Sequence, residues 1–264
     1  MSLSVLVSIY YKEKPDNLTE CLHSLASQSL KANEVILVED GPISDELKSI
    51  IESFRHELNI VSVPLTENVG LACALNEGLK HCSNEIVARM DTDDIARDER
   101  FERQMEFMNL NPEVAASSGV VEEFNEEGQV LMRRVLPLEH SEIINFAKRR
   151  SPLSHPATIF RKSAVESVGG YPEVYPEDYL LWVKLIQQGH QLANLPYELL
   201  RMRAGDEFIT RRGLQFLKGE LKIYRYMYQT EFINFFEYVK IIILRSVLRL
   251  SPPFVKLLLY RVAR

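Results

Sequence analysis

Asp91, Asp93 and Asp94 fall within four positions of the stretch "RMDTDDIARDER" (89–100). Ionised carboxylates this crowded repel one another unless a positive group sits between them. Asp91 and Asp93 follow an apolar run that reads as a buried strand. A pair so placed at a strand end can share one hard divalent cation, Mg²⁺ or Mn²⁺, which takes oxygen ligands and leaves positions for substrate phosphates. The competing reading is structural: Asp94 or Asp98 caps the helix expected through "ERFERQMEFM". A second acidic pair, Glu177 and Asp178 in "PED", opens another expected helix. There the helix dipole favours an ionised carboxylate, the form a general base requires. Plain N-terminal capping is the alternative. The Gly-rich dinucleotide fingerprint and the Walker loop are both absent from the sequence, which disfavours hydride transfer and ATP hydrolysis.

These residues need elements to position them. Apolar runs at 4–10, 34–40, 59–64 and 85–90 read as strands, with helices at 17–29, 44–57 and 70–82 between them. In the second helix Ser44 can cap and Leu47, Ile50, Ile51 and Phe54 face inward. Such alternation implies an α/β protein, a parallel sheet with helices on both faces and right-handed crossovers. Ligands of such sheets bind beyond the carboxyl ends of the strands. The polar clusters "EDG" (39–41), "ENVG" (67–70) and "DTDD" (91–94) fall at three of these ends. Beyond residue 114 the pattern alternates about a Glu-Gly turn, predicting strands and a hairpin. A helix is expected over 176–189 with Gly189 as its stop, then two strands, "QLANLP" and "YELLRMR". From about residue 207 the chain reads as helical.

With 264 residues, the chain suffices for one large α/β domain with a small appendage. A net charge of −6 argues against nucleic acid as the main partner. The charge is uneven, with six Lys/Arg and one Asp/Glu after residue 231. Cys21, Cys73 and Cys82 fit no metal or disulfide spacing and read as thiols in a reducing compartment. The N-terminus reads as a first strand rather than a signal peptide, and no uninterrupted apolar run is long enough to span a bilayer.

Six segments, "VEDG", "ENVGLACALNEGL", "RMDTDDIARDERFERQ", "SHPATIFRKSAVESVGGY", "PEDYLLWVKLIQQG" and "RMRAGDEFITRRG", occur in the order found in bacterial family 2 inverting glycosyltransferases. The chain resembles these enzymes over residues 3–215, and those that build O-antigen and exopolysaccharide units on a lipid carrier most of all. The resemblance implies the GT-A fold, a UDP-sugar donor and a divalent metal, Mn²⁺ or Mg²⁺. It assigns Asp40, with Glu39, to the uracil N3–H, and Asn68 to the nucleotide-sugar set. Asp91 would lie near the ribose and Asp93 would hold the metal on the diphosphate. Asp178 would deprotonate the acceptor hydroxyl and Glu177 would orient its loop. Arg211 would stand near the diphosphate. His155 would contact sugar or diphosphate, or be structural. Trp182, the single tryptophan, would stack on the acceptor sugar or belong to the core. Arg100 and Gln104 would support the aspartate loop or lie on a helix surface.

The expected reaction moves a hexose, glucose or galactose, from UDP to a lipid-diphosphate-linked N-acetylhexosamine with inversion to a β-linkage. A nucleotidyltransferase or a non-catalytic sugar-nucleotide-binding subunit would share much of this pattern. Residues 1–215 form the expected catalytic domain and 216–264 a helical extension. That extension is apolar and basic, with Pro252 and Pro253 breaking it into two helices. It suits a membrane interface, with cations toward anionic headgroups, or packing on the domain or in a homodimer. The membrane reading places the protein at the cytoplasmic face of the bacterial inner membrane, bound peripherally to its polyprenyl-diphosphate-linked acceptor.

Overall fold

The computed structural model describes residues 2–204 and 214–250. Four strands, β1 (Leu3–Ile9), β2 (Glu34–Glu39), β3 (Ile60–Pro64) and β4 (Ile86–Asp91), lie parallel in the order β3-β2-β1-β4. The first three are joined by α1 (Pro15–Ala26) and α2 (Asp45–Phe54), and α3 (Leu71–His81) leads into β4. Ser44 caps α2 as expected, its side chain accepting the Leu47 N–H. β1, β2 and β4 are almost wholly buried because helices cover both sheet faces. On one face Leu3, Val5 and Val7 meet α1, α2 and α4 (Arg100–Leu110). On the other, Leu6, Ile36 and Val38 meet α3.

The strand order reverses between β1 and β4, where Ser8 lies opposite Asp91. The crevice beyond the carboxyl ends at such a switch point is where open α/β sheets bind ligands. The sheet continues past β4 with β8 (Ile159–Arg161), β6 (Val114–Phe124), β9 (Gln191–Arg203) and the two-residue β5 (Ile95–Ala96). The hairpin strand β7 (Val130–Arg134) pairs with β6. β8 runs antiparallel to both β4 and β6, and β6 runs parallel to β9.

Two expectations change. The 114–124 segment does not alternate between core and solvent. It is buried along nearly its whole length, with Glu122 and Glu123 held inside by Arg97, Arg134 and Arg201. "QLANLP" and "YELLRMR" are one strand, not two. Pairing with β6 passes from Gly119–Leu195 to Val120–Glu198, so Pro196 and Tyr197 bulge out of the ladder. A bulge is where a strand tolerates proline, which cannot donate to the ladder.

The remaining helices are α5 (His140–Ala147), α6 (Lys162–Ser167), α7 (Glu177–Gln187), α8 (Leu214–Gln229) and α9 (Phe235–Leu250). Tyr179, Leu180 and Val183 of α7 share one apolar cluster with Ile223, Tyr224 and Met227 of α8 and Ile241 of α9. The C-terminal helices therefore pack on the body through α7. α9 nevertheless turns Phe236, Ile243, Leu244 and Val247 to solvent. Pro252, Pro253, Arg211 and Arg212 lie outside the described residues.

Candidate active site

A cleft of 2380 Å³ runs across the carboxyl ends of the strands. Of the residues expected at a site, Asp40, Asn68, Asp91, Asp93, His155 and Asp178 all line it. Glu39, Glu177 and Trp182 do not, and Arg211 lies outside the described residues.

Beyond the end of β2, Asp40 enters a clasp. Its carboxylate accepts the Val69 N–H at 2.7 Å, the Gly70 N–H at 3.2 Å and the Asn68 Nδ2 at 3.0 Å. The clasp orders the loop that starts α3. It requires the chain to turn at Gly41 with φ +84°, where a Cβ would stand 2.7 Å from the Asn68 nitrogen. A non-glycine side chain there would be both strained and crowded.

β4 delivers the aspartates. One carboxylate oxygen from each of Asp91, Asp93 and Asp94 lies within 4.8 Å of the others. At about 4 Å and an effective dielectric near 20, each like-charged pair repels by roughly 4 kcal/mol. Arg89, fully buried, bonds Asp91 Oδ1 and the Met90 carbonyl. Asp94 does not cap α4, whose N-cap position is Glu99. Its Oδ1 accepts the Arg203 N–H at 2.9 Å, tying the aspartate turn to the end of β9. Its Oδ2 is buried without a hydrogen-bond partner. Burial, then the charges of Asp93 and Asp91, raise the Asp94 carboxyl well above the usual carboxylate range. Three converging carboxylates, one of which keeps a buried oxygen without a partner, fit a Mg²⁺- or Mn²⁺-sized ion. The sequence pattern had singled out Asp91 and Asp93; the third ligand candidate emerges only when the turn folds Asp94 inward.

Arg100 and Gln104 form the scaffold behind this loop. Both are fully buried, Arg100 bonding the Arg89 carbonyl at 2.6 Å and Gln104 the Ala157 carbonyl at 3.0 Å. Desolvation lowers the Arg100 pKa to about 9.

α7 delivers the second carboxylate site. Its N-cap is Pro176, which supplies no side-chain cap. Asp178 is instead bonded by the Tyr179 N–H and by Ser151 Oγ, the latter at 2.8 Å to Oδ2. Desolvation raises its pKa, although one edge stays open to the cleft; Ser151, the Tyr179 N–H, the Trp182 indole N–H and Arg134 oppose that rise. Glu177 points the other way and is buried. Burial, then Asp178, push its pKa up to about 7. Its Oε1 lies 3.6 Å from His155 Nδ1, and His155 Nε2 lies 3.3 Å from the Tyr171 hydroxyl. Desolvation and the nearby Arg89 hold His155 well below its usual pKa, so it is neutral and cannot serve as a cation for a diphosphate. A neutral hydrogen-bonding role suits it.

A carboxyl whose folded pKa is raised binds more protons folded than unfolded, so it loses stability as pH climbs from the unfolded pKa through the folded one. For Glu177 that window runs from the ordinary 4.5 to about 7. Glu177→Gln, which mimics the protonated acid, should therefore gain on the wild type between pH 5 and pH 8 by on the order of 2 kcal/mol. Urea melts at the two pH values read this; a pH-independent difference would show that Glu177 is not buried at the cost inferred.

Trp182 is fully buried among α3, α6 and α7 core residues, 6.2 Å from the His155 ring. The expectation of acceptor stacking gives way to the core reading, because the indole is on the inward face of α7. Its Nε1 has no hydrogen-bond partner at ordinary distance, yet it favours the ionised form of Asp178. Trp182→Ala should cost about 3–5 kcal/mol of unfolding free energy. A raised acceptor KM without loss of stability would restore the stacking role.

A curled α/β sheet with a carboxylate cluster at the end of β4 and a further carboxylate at the start of α7 is the architecture of a GT-A-fold glycosyltransferase. The chain belongs to glycosyl transferase family 2, whose family model matches residues 4–169. It is 43% identical over 259 residues to the amylovoran biosynthesis glycosyltransferase AmsE of Erwinia amylovora, covering 97% of both chains. It is 39% identical to the UDP-Gal:alpha-D-GlcNAc-diphosphoundecaprenol beta-1,3-galactosyltransferase of Escherichia coli, covering 94% of this chain and 91% of that one. Among solved structures, S. aureus TarS 1–349 with UDP-GlcNAc superposes with a TM-score of 0.68 at 21% identity, over 94% of this chain and 73% of that one. The chain spans 44% of the longer TarS structure. The mannosyltransferase PcManGT of Pyrobaculum calidifontis, in complex with GDP-Man and Mn²⁺, superposes with a TM-score of 0.67 at 18% identity, over 96% and 71% of the two chains.

Proposed function

We propose that this enzyme moves a hexose from a UDP-sugar to an N-acetylhexosamine carried on a polyprenyl diphosphate, inverting an α-linked donor to a β-glycoside. The observation that carries the proposal is a single cleft with Asp91 and Asp93 lining one end, Asp94 converging on them from beneath, and Asp178 lining another part of the same cleft. The E. coli relative, named for this kind of donor and acceptor, supports the substrate classes. Galactose or glucose is the proposed sugar.

Asp91, Asp93 and Asp94 would hold the divalent ion, with Asp93 its principal ligand and Asp91 also near the ribose. When bound, the ion neutralises charge on the departing diphosphate. Asp40 and Asn68 shape the nucleotide pocket, with Asp40 rather than Glu39 facing it; we assign the base contact to Asp40 and a diphosphate contact to Arg211. Asp178, ionised, accepts the proton of the acceptor hydroxyl. That oxygen then attacks the anomeric carbon from the side opposite UDP. Glu177, behind the cleft wall, and His155, at the wall itself, hold the start of α7 in place.

Residues 1–215 form the catalytic unit in this proposal and 216–264 its extension. Among the described residues no helix is long and apolar enough to cross a membrane. The exposed apolar side of α9 suits a surface helix at the cytoplasmic membrane face.

A panel of UDP-sugars with a synthetic N-acetylhexosaminyl diphospho-lipid tests the proposal. UDP release should require the acceptor. Release of pyrophosphate, or UDP release indifferent to acceptor, would overturn it.

A further inference from the structure

Lys148, Arg149 and Arg150 stand in a row directly before Ser151, the residue bonded to Asp178. The row is clamped to the C-terminal helices. Lys148 Nζ donates to Glu237 Oε1 at 3.1 Å, and the Arg149 carbonyl accepts from the Tyr224 hydroxyl at 2.7 Å and from the Arg245 guanidinium. Arg245 is itself paired with the buried Glu220 at 3.6 Å. The clamped row and Lys240 of α9 line the same cleft as Asp178. Lys148 and Arg245 are neutralised by Glu237 and Glu220, while Arg149, Arg150 and Lys240 line the same end. Arg149, Arg150 and Lys240 are exposed. Two residues of chain span at most about 7 Å, so Arg149 cannot be far from the partner of Asp178.

The cleft does not end there. A groove of 690 Å³ opens along α9, lined by Phe235, Phe236, Val239 and Ile243, and it shares Lys240, Leu244 and Val247 with the cleft. Apart from Lys240 its lining is apolar. A ligand lying along this path would meet, in order, a carboxylate, a cluster of cations and an apolar trough.

We infer that Arg149, Arg150 and Lys240 form a subsite for the diphosphate of the acceptor, and that the α9 groove takes the first part of its alkyl chain. Arg presents paired donors to phosphate oxygens, and a desolvated alkyl chain gains from burial on an apolar helix face. The order along the path matches the order of groups in an alkyl-diphospho-sugar whose hydroxyl sits at Asp178. The sugar end of the inference rests on the proposed transfer reaction; the diphosphate and alkyl ends rest on the cations and the groove.

The test titrates the full chain, saturated with UDP and Mn²⁺ so that the donor site is filled, with undecyl diphosphate below its micelle concentration. Calorimetry reads the affinity. The wild type should bind it at least about tenfold more tightly than inorganic diphosphate, and R149E/K240E should lose about tenfold. F236S/I243S should remove most of the alkyl increment. Unchanged affinity in R149E/K240E overturns the diphosphate subsite. Equal affinity for the two probes overturns the groove, as does an F236S/I243S variant that loses anionic-vesicle binding but keeps undecyl diphosphate. Transfer assays separate this inference from the proposed function. Binding without transfer to any lipid-linked sugar sinks the reaction and leaves the subsite. Transfer whose acceptor KM is the same in R149E/K240E sinks the subsite and leaves the reaction.

Discussion

Asp178→Asn should lower turnover by about three orders of magnitude while moving the donor KM by no more than about twofold. The substitution keeps size and shape, and an amide oxygen can still accept from Ser151 and from the start of α7. What it removes is the capacity to take a proton. That loss falls on the chemical step, because an acceptor hydroxyl is a poor nucleophile until its proton begins to leave. The rate should rise with pH as Asp178 ionises and then level off, since desolvation places its pKa above the ordinary carboxylate value. The neighbouring Glu177 provides the control. Its pKa near 7 would suit a base, but it is buried behind the cleft wall and does not line the cleft. Glu177→Gln should therefore retain most of the turnover. Stopped-flow or steady-state UDP release reads both variants. A nearly normal Asp178→Asn beside an inactive Glu177→Gln would reverse the assignment.

Replacing Asp93 by Asn should have two effects of opposite sign. Without metal the protein should become more stable, because one of three mutually repelling carboxylates within 4.8 Å is neutralised. The gain is on the order of 1 kcal/mol after solvent screening of the half-exposed side chain. With Mn²⁺ the order should invert. The wild type gains stability by mass action, about 2.7 kcal/mol when the ion is at a hundred times its Kd, and the variant gains little. Turnover should fall by about a hundredfold or more, because the developing charge on UDP loses its principal counter-charge. Thermal melts with and without Mn²⁺ give the stability arm without any substrate. Asp94→Asn should weaken the Mn²⁺ shift as well, since its Oδ2 is the buried oxygen left without a partner. A Mn²⁺ shift as large in Asp93→Asn as in the wild type would remove Asp93 from the metal site.

Much of this was readable from residue order. Apolar runs of strand length alternating with amphipathic helices sufficed for a parallel sheet, because period and length are local properties of the chain. Polar clusters at the ends of those runs located the cleft, since a parallel sheet collects its strand ends on one side. Ser44 announced a helix start through a hydroxyl that bonds nearby backbone, and "PED" announced one through acidic residues in the first turn. Asp91, Asp93 and Asp178 were nameable before their geometry, as types and spacings suited to metal and proton chemistry.

Other features depend on contacts between distant segments. The order β4-β8-β6-β9-β5 pairs residues far apart in the chain, as in Ile86 with Arg161 and Ala116 with Phe160, and no local pattern encodes such pairing. Burial of β6 on both faces follows from what covers it, so the alternating pattern did not show that Arg97, Arg134 and Arg201 would hold Glu122 and Glu123 inside. Pro196 marked a strand break in the sequence, but a bulge against Gly119 and Val120 absorbed it. Trp182 faced core rather than sugar because the packing angle of α7 decides which side is inward. Asp94 is held inward beside the other two aspartates because the Arg203 N–H, 109 residues later, bonds its Oδ1. The sequence by itself determined the chemistry available and the side of the sheet that would hold it. Only tertiary structure decided which oxygens converge, which carboxylate faces the cleft and which lies behind it, because burial and distance are set by segments that meet only once the chain has folded.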